Sequence, residues 1–221
     1  MSQLPELVVF DWNGTILNDV AASAAAMQKI LDKLGDNRTA TIELYRQHCS
    51  VPIRKTYESL GYSHLSNSEI IEINAEWQKA YKNVEHKQIL QDGIQSTINW
   101  LEDNRIPKVI LSNHMKPSIE KNLSRLNLNF DNILARNEQH HMITVGKSQL
   151  LADYLETQSL DPSKAVIIGD TAEEFDIANS LGLQSIIITN GSVAKDRLLH
   201  IPENQRTDTS DLLKKLQGLF T

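Results

Sequence analysis

Leu7-Val8-Val9-Phe10-Asp11-Trp12-Asn13-Gly14-Thr15 is the stretch from which the fold is read. Its four leading residues are uniformly apolar and end in polar ones, the pattern of a short strand buried on both faces. Where the strand stops, the chain presents a carboxylate, Asp11, followed by a glycine-containing turn. Two more runs repeat the design: Val109-Ile110-Leu111 before Ser112, and Ala165-Val166-Ile167-Ile168 before Gly169-Asp170. Helical periodicities follow at roughly 92–104, 116–126, 147–157 and 173–181, with a further strand at 184–188. Strands alternating with helices predict an α/β fold, a doubly wound parallel sheet covered on both faces. Ligands of such sheets bind beyond the carboxyl ends of the strands, and Asp11, Ser112 and Asp170 all fall at that edge.

From about 17 to 90 the pattern changes to consecutive amphipathic helices without a strand-like run. Val20, Ala24, Met27, Leu31 and Leu34 share one helical face, with Asn18 or Asp19 as a cap before them and Gly35 as a stop. Ser66 and Glu69 have capping-box spacing ahead of Ile70, Ile73, Trp77 and Tyr81. The organisation expected is an α/β core formed by 1–16 and 91–221, interrupted by an all-helical insertion at 17–90.

Composition narrows the classes. The chain has 221 residues, 40% hydrophobic and 23% charged, the balance of a folded globular protein. Twenty-two basic against 28 acidic side chains give a net charge of −6, which disfavours nucleic acid and anionic membranes as partners. No apolar run approaches the roughly 18 residues of a membrane span, and the first residues lack a signal-peptide layout, so a cytoplasmic location is expected. Lone Cys49 excludes an internal disulfide and reads as a small, partly buried hydrophobe. The adjacent His140 and His141 read as loop residues rather than a metal pair, and Trp12 as a wall beside the site.

In order along the chain, Asp11-Trp12-Asn13-Gly14-Thr15, Leu111-Ser112-Asn113, Gly146-Lys147 and Gly169-Asp170-Thr171 with Glu174 resemble the four motifs of the haloacid dehalogenase superfamily. The helical insertion after the first motif resembles the cap of its phosphoglycolate phosphatase-like members. The resemblance implies a magnesium-dependent phosphohydrolase acting on a small phosphorylated metabolite, as a monomer or homodimer. It makes Asp11 the nucleophile, which would form an aspartyl-phosphate and split one hard displacement into two. Ser112, Lys147 and the amides after Asp11 would surround the transferring phosphoryl group. Mg2+ would take oxygens from Asp11, the Asn13 carbonyl, Asp170 and Glu174, with Glu173 and Asp176 as substitutes for the last. Thr15 and Asn113 are binding candidates, although the Thr15 hydroxyl equally suits a cap or turn.

Asn13 departs from that resemblance, because relatives place there an Asp that protonates the leaving group and later activates water. An amide does neither, and general acid–base catalysis is typically worth about 10²–10⁴ in rate. Three explanations stand open: a different proton donor, a phosphate-binding or regulatory module, or an introduced change. The Asn13-Gly14 pair also favours deamidation. Around Val51-Pro52-Ile53-Arg54-Lys55 the cap would enter the site, with Arg54 and Lys55 reading either as anion-binding groups or as a solvated basic patch. Lys55 as a Schiff-base lysine would instead fit a phosphonoacetaldehyde hydrolase-like enzyme.

Overall fold

The structure, a computed structural model, describes residues 4–135 and 146–219. In chain order the elements are β1 (Leu7–Phe10), β2 (Leu17–Asn18), α1 (Val20–Lys33), α2 (Ile42–His48), α3 (Ile53–Ser59), α4 (Asn67–Glu85), β3 (Ile89–Leu90) and α5 (Ile94–Asp103). There follow β4 (Lys108–Leu111), α6 (Lys116–Leu126), β5 (Asn132–Leu134), α7 (Lys147–Thr157), β6 (Ala165–Gly169), α8 (Ala172–Leu181), β7 (Gln184–Ile188), β8 (Arg206–Thr207) and α9 (Leu212–Gly218).

Successive side chains of a strand point to opposite faces, and β1 uses both. Val8 and Phe10 enter a core with α5, α6 and α9, whereas Leu7 and Val9 enter a second core with α7 and α8. This two-sided burial explains why the strands carry no polar alternation. The sheet order is β5-β4-β1-β6-β7-β8, and every pairing in it is parallel. Beginning at β1, the chain builds outward through β4 and β5, then returns to β6 on the other side of β1. That reversal opens the crevice in which open α/β sheets bind ligands, and Asp11 stands at its centre.

The helices α1 to α4 form a separate layer whose apolar clusters draw only on residues 22–84. Helix α4 starts at a reciprocal capping box between Ser66 and Glu69, as the spacing predicted. The insertion is not purely helical: β2 and β3 pair antiparallel, Leu17 opposite Leu90 and Asn18 opposite Ile89, where the chain leaves and re-enters the sheet domain. Such two-residue strands carry too little pattern to be read from sequence. The helical layer is tied down on the far side as well. Arg46 of α2 donates to the carbonyls of Asn190 and Gly191 at 2.7 and 2.8 Å, and Arg197 donates to the Cys49 carbonyl at 2.6 Å and the Ser50 hydroxyl at 2.7 Å.

Because Ile168 is fully buried between β1 and β7, Ile168→Ala should lower unfolding free energy by about 2–5 kcal/mol. Urea denaturation followed by circular dichroism checks this.

Candidate active site

Strand ends gather the site. Asp11 follows β1, its amide donating to the Ile168 carbonyl of β6 at 2.8 Å; Ser112 follows β4 and Asp170 follows β6. Lys147 opens α7 and points its ammonium into the same space, 2.6 Å from Asp11 Oδ1, 2.6 Å from Glu174 Oε1 and 3.5 Å from Glu173 Oε2. All four side chains are withdrawn from water, with Lys147 only 4% exposed. Burial alone would pull the lysine toward neutrality, but Asp11, Glu174 and Glu173 outweigh it and hold the ammonium charged.

Three carboxyls face one lysine, with a fourth, Asp170, buried in the same cavity. Burial pushes the Asp11 carboxyl up to about 7, Lys147 pulling it down and Glu174 raising it further. Asp170 is raised well above its ordinary value, by burial first and then by repulsion from Asp11 and Glu174. Its own partners are the Ser192 amide and, at 3.4 Å, the Thr15 hydroxyl. Gly14 and Gly191 make room for it. A Cβ on Gly14 would lie 2.1 Å from Asp170 Oδ2, and Gly14 adopts φ +73°, a conformation only glycine takes freely. A Cβ on Gly191 would lie 2.4 Å from the same carboxyl.

This donor set fits a divalent cation through Asp11, Asp170 and the neighbouring Asn13 carbonyl. Magnesium commonly uses one or two carboxylates and completes its shell with phosphate and water, so a full protein cage is not required. Among the described residues no three or more acidic, imidazole or thiol side chains are grouped to enclose a metal. Glu174 is placed differently from the ligand expected of it. It is the third residue of a capping box, Oε2 accepting from the Thr171 hydroxyl at 2.7 Å and Oε1 from Lys147. Glu173 Oε2 accepts from Asn113 at 3.1 Å while its Oε1 is buried without a hydrogen-bond partner, and Asp176 is exposed.

Asn13 belongs to a network not read from the sequence. Its Nδ2 donates to Asp19 Oδ2 at 2.6 Å and to the Tyr81 hydroxyl at 2.9 Å; that hydroxyl donates to Asp19 at 2.7 Å, and the Gly14 amide donates to Asp19 Oδ1 at 2.8 Å. Asp19 occupies the N-cap position of α1, as expected, but makes no side-chain cap bond and faces the site instead. Burial raises its carboxyl pKa, against the pull of Tyr81 and Asn13. With both amide hydrogens engaged, Asn13 has its carbonyl oxygen left to offer the cavity, an acceptor. Held by Asp19, the Gly14 nitrogen is also poorly placed to attack Asn13 in deamidation.

A cavity of about 160 Å³ rises from Asp11, Asn13, Ser112, Asn113, Lys147 and Asp170 into the helical layer. Arg54 and Lys55 do not line it. The Arg54 guanidinium donates to the Leu65 carbonyl and Asn67 side chain, and Lys55 is exposed, because α3 turns their side of the helix outward. Their neighbours Val51 and Ile53 reach the cavity instead. Trp12 is fully buried in the core under the sheet edge rather than forming a cavity wall. Cys49 lines the cavity with its thiol pushed up to about 12 by burial, donating to the Tyr45 hydroxyl at 3.4 Å, and is no nucleophile at neutral pH. His140 and His141 lie outside the described residues. Asp19 and Tyr81 were hidden by their helical patterns; Gly191-Ser192, just past the end of β7, carried a signal, a small-residue turn at the ligand edge of the sheet.

A carboxyl raised above its unfolded value binds protons in the native state that the unfolded chain releases. Its stabilising contribution is complete below the ordinary value of 3.8 and is lost as pH rises through about 7. In chelator, the thermal midpoint should therefore fall between about pH 5 and about pH 8, and a divalent cation should restore it at the higher pH. Differential scanning calorimetry reads both changes.

Comparison with known proteins agrees with this geometry. The family described as Haloacid dehalogenase-like hydrolase matches residues 8–188. A phosphoglycolate phosphatase from Pseudomonas putida is 22% identical over 195 residues, covering 85% of this chain and 71% of that protein. A predicted phosphatase from Clostridium acetobutylicum superposes with a TM-score of 0.82 at 18% identity, covering 97% and 99% of the two chains. A haloacid dehalogenase-like family hydrolase from Streptococcus pneumoniae gives 0.78 at 21% identity, covering 97% and 99%. At these identities the solved structures speak for the fold alone. The match runs from β1 to the end of β7 and takes in the helical insertion with Asp11, Ser112, Lys147 and Asp170, and this chain belongs to the haloacid dehalogenase-like hydrolases.

Proposed function

We propose that the chain is a magnesium-dependent phosphatase of small phosphorylated metabolites, working through a phosphoryl group carried on Asp11. One observation carries the reading: a buried ammonium, Lys147, sits 2.6 Å from the Asp11 carboxylate, with the Asp170 carboxyl buried in the same cavity. Such a place attracts a group that brings anionic oxygens together with a cation. When bound, magnesium would neutralise the phosphoryl oxygens so that a carboxylate can approach them.

The protein's own side chains account for the rest. Lys147 pulls the Asp11 carboxyl down against the push of burial and offers a donor to the phosphoryl oxygens, as does the Ser112 hydroxyl. Asp11 attacks phosphorus, and the leaving oxygen departs with the bonding electrons. Asn13 can orient a water through its carbonyl oxygen but cannot accept the proton, so release of phosphate from Asp11 is the step expected to be slow. Placement of Lys55 outside the cavity removes the amine that a phosphonoacetaldehyde hydrolase-like reaction would need there. A catalytically silent phosphate-binding module would bind magnesium and beryllofluoride yet release no phosphate from any ester.

Asp11→Asn should abolish phosphate release from every member of an ester panel. Asn13→Asp should raise kcat for alkyl phosphates, by up to about 10²–10⁴-fold, since a second carboxyl beside Asp19 would retain a proton near neutrality. Steady-state phosphate release measures both, and a fall in kcat on Asn13→Asp would sink the assignment of position 13 as a missing acid. Peptide mapping of the starting protein excludes deamidated material as the source of activity.

A further inference from the structure

The helical layer places apolar and aromatic side chains over Asp11. Met27 and Ile30 come from α1, Tyr57 from α3, Leu60 from just past its end and Trp77 from α4, with Val51 at the α3 entrance. Among the described lining residues Lys147 is the only lysine or arginine, and its ammonium already faces Asp11, Glu174 and Glu173. His114, also lining, pairs with Glu85 at 3.1 Å. A second anionic group entering this compartment would lose its hydration with no further lysine or arginine among the described lining residues to replace it, a loss far greater than for an apolar group. An apolar ring would gain from the same transfer. The volume, about 160 Å³, corresponds to on the order of ten water-sized sites, enough for a small ester.

Resting on the proposed phosphatase reading, we infer that the leaving group is apolar and ring-sized. The substrate class is then a monophosphate ester of a phenol, and not a phosphorylated carboxylic acid such as the substrate named for the Pseudomonas relatives. The site's lack of an acid at Asn13 points the same way. An Asp11 oxygen bonds to phosphorus as the P–O(aryl) bond breaks, and the electron pair leaves on a phenoxide, which needs no proton to depart. Water then attacks the phosphorus of the acyl phosphate, the P–O bond to Asp11 breaks, and inorganic phosphate and the free carboxylate result.

Binding and turnover test the two readings separately. Benzylphosphonate mimics phenyl phosphate, and 3-phosphonopropionate mimics phosphoglycolate; neither can be hydrolysed at the bridging carbon. Titration calorimetry with magnesium should give at least roughly tenfold tighter binding of benzylphosphonate, consistent with burial of an apolar ring. Equal or tighter binding of 3-phosphonopropionate, or no binding of either, overturns the inferred substrate class. Val51→Arg, at a half-buried entrance position, should narrow or reverse the preference, with Ile53→Arg as the second variant if the first does not fold. An unchanged preference in a folded variant places the discrimination elsewhere and overturns the inference. Turnover is read with phenyl phosphate against 4-carboxyphenyl phosphate, whose leaving groups are chemically close, so that only the added charge differs; phenyl phosphate should have the larger kcat/KM by at least roughly tenfold. Absence of phosphate release from both, with benzylphosphonate still preferred, would defeat the phosphatase reading while leaving the compartment's chemistry established.

Discussion

The lysine buried among carboxylates is the interaction on which the rest of the site depends. Removing a single charge from water costs several kcal/mol after relaxation, and partners must recover it. Lys147 meets Asp11 and Glu174 at 2.6 Å and Glu173 at 3.5 Å, yet Asp170 remains beside them with an amide and a hydroxyl as partners. Among the described residues the cluster therefore holds more carboxyls than cationic side chains. The glycines at 14 and 191 leave room for Asp170 in that space, and Asp11 stands at the tip of β1, where the strand order reverses. Stability has been set aside here for binding, since a packed apolar cluster would hold the strand tips together at lower cost.

Much of this was legible beforehand because the relevant signals are local. Uniformly apolar strands before polar turns, and helices of regular period, follow from burial on both sheet faces; Lys147–Thr157 and Gln184–Ile188 begin and end where the pattern placed them. The short strands Asn132–Leu134 and Arg206–Thr207 escaped notice, since edge strands of so few residues carry little hydrophobic contrast. Side-chain direction was less legible. Glu174 has the spacing of a metal ligand and equally that of a capping box after Thr171, and only the packed helix end decides between them. Asp19 shows the converse, a residue with the look of a helix cap that turns inward to hold Asn13.

The helical layer adds chemistry that the sheet does not have. Arg54 and Lys55 read equally as anion-binding groups or as a solvated basic patch, and a helix presents different faces at successive positions. In α3 the faces fall so that Thr56 and Tyr57 point inward and Lys55 outward. The result is an acidic, cation-seeking floor under an apolar roof.

The central assertion is that Asp11 itself carries the phosphoryl group, and it is most directly measured by mass spectrometry of protein quenched in acid during turnover of phenyl phosphate with magnesium. Borohydride reduction of an aspartyl-phosphate leaves homoserine at the modified position. With no base at position 13 to hasten its hydrolysis, the adduct should accumulate and map to the peptide bearing Asp11. Phosphate release proceeding at full rate with that peptide always unmodified, or with the label on another residue, would contradict the account.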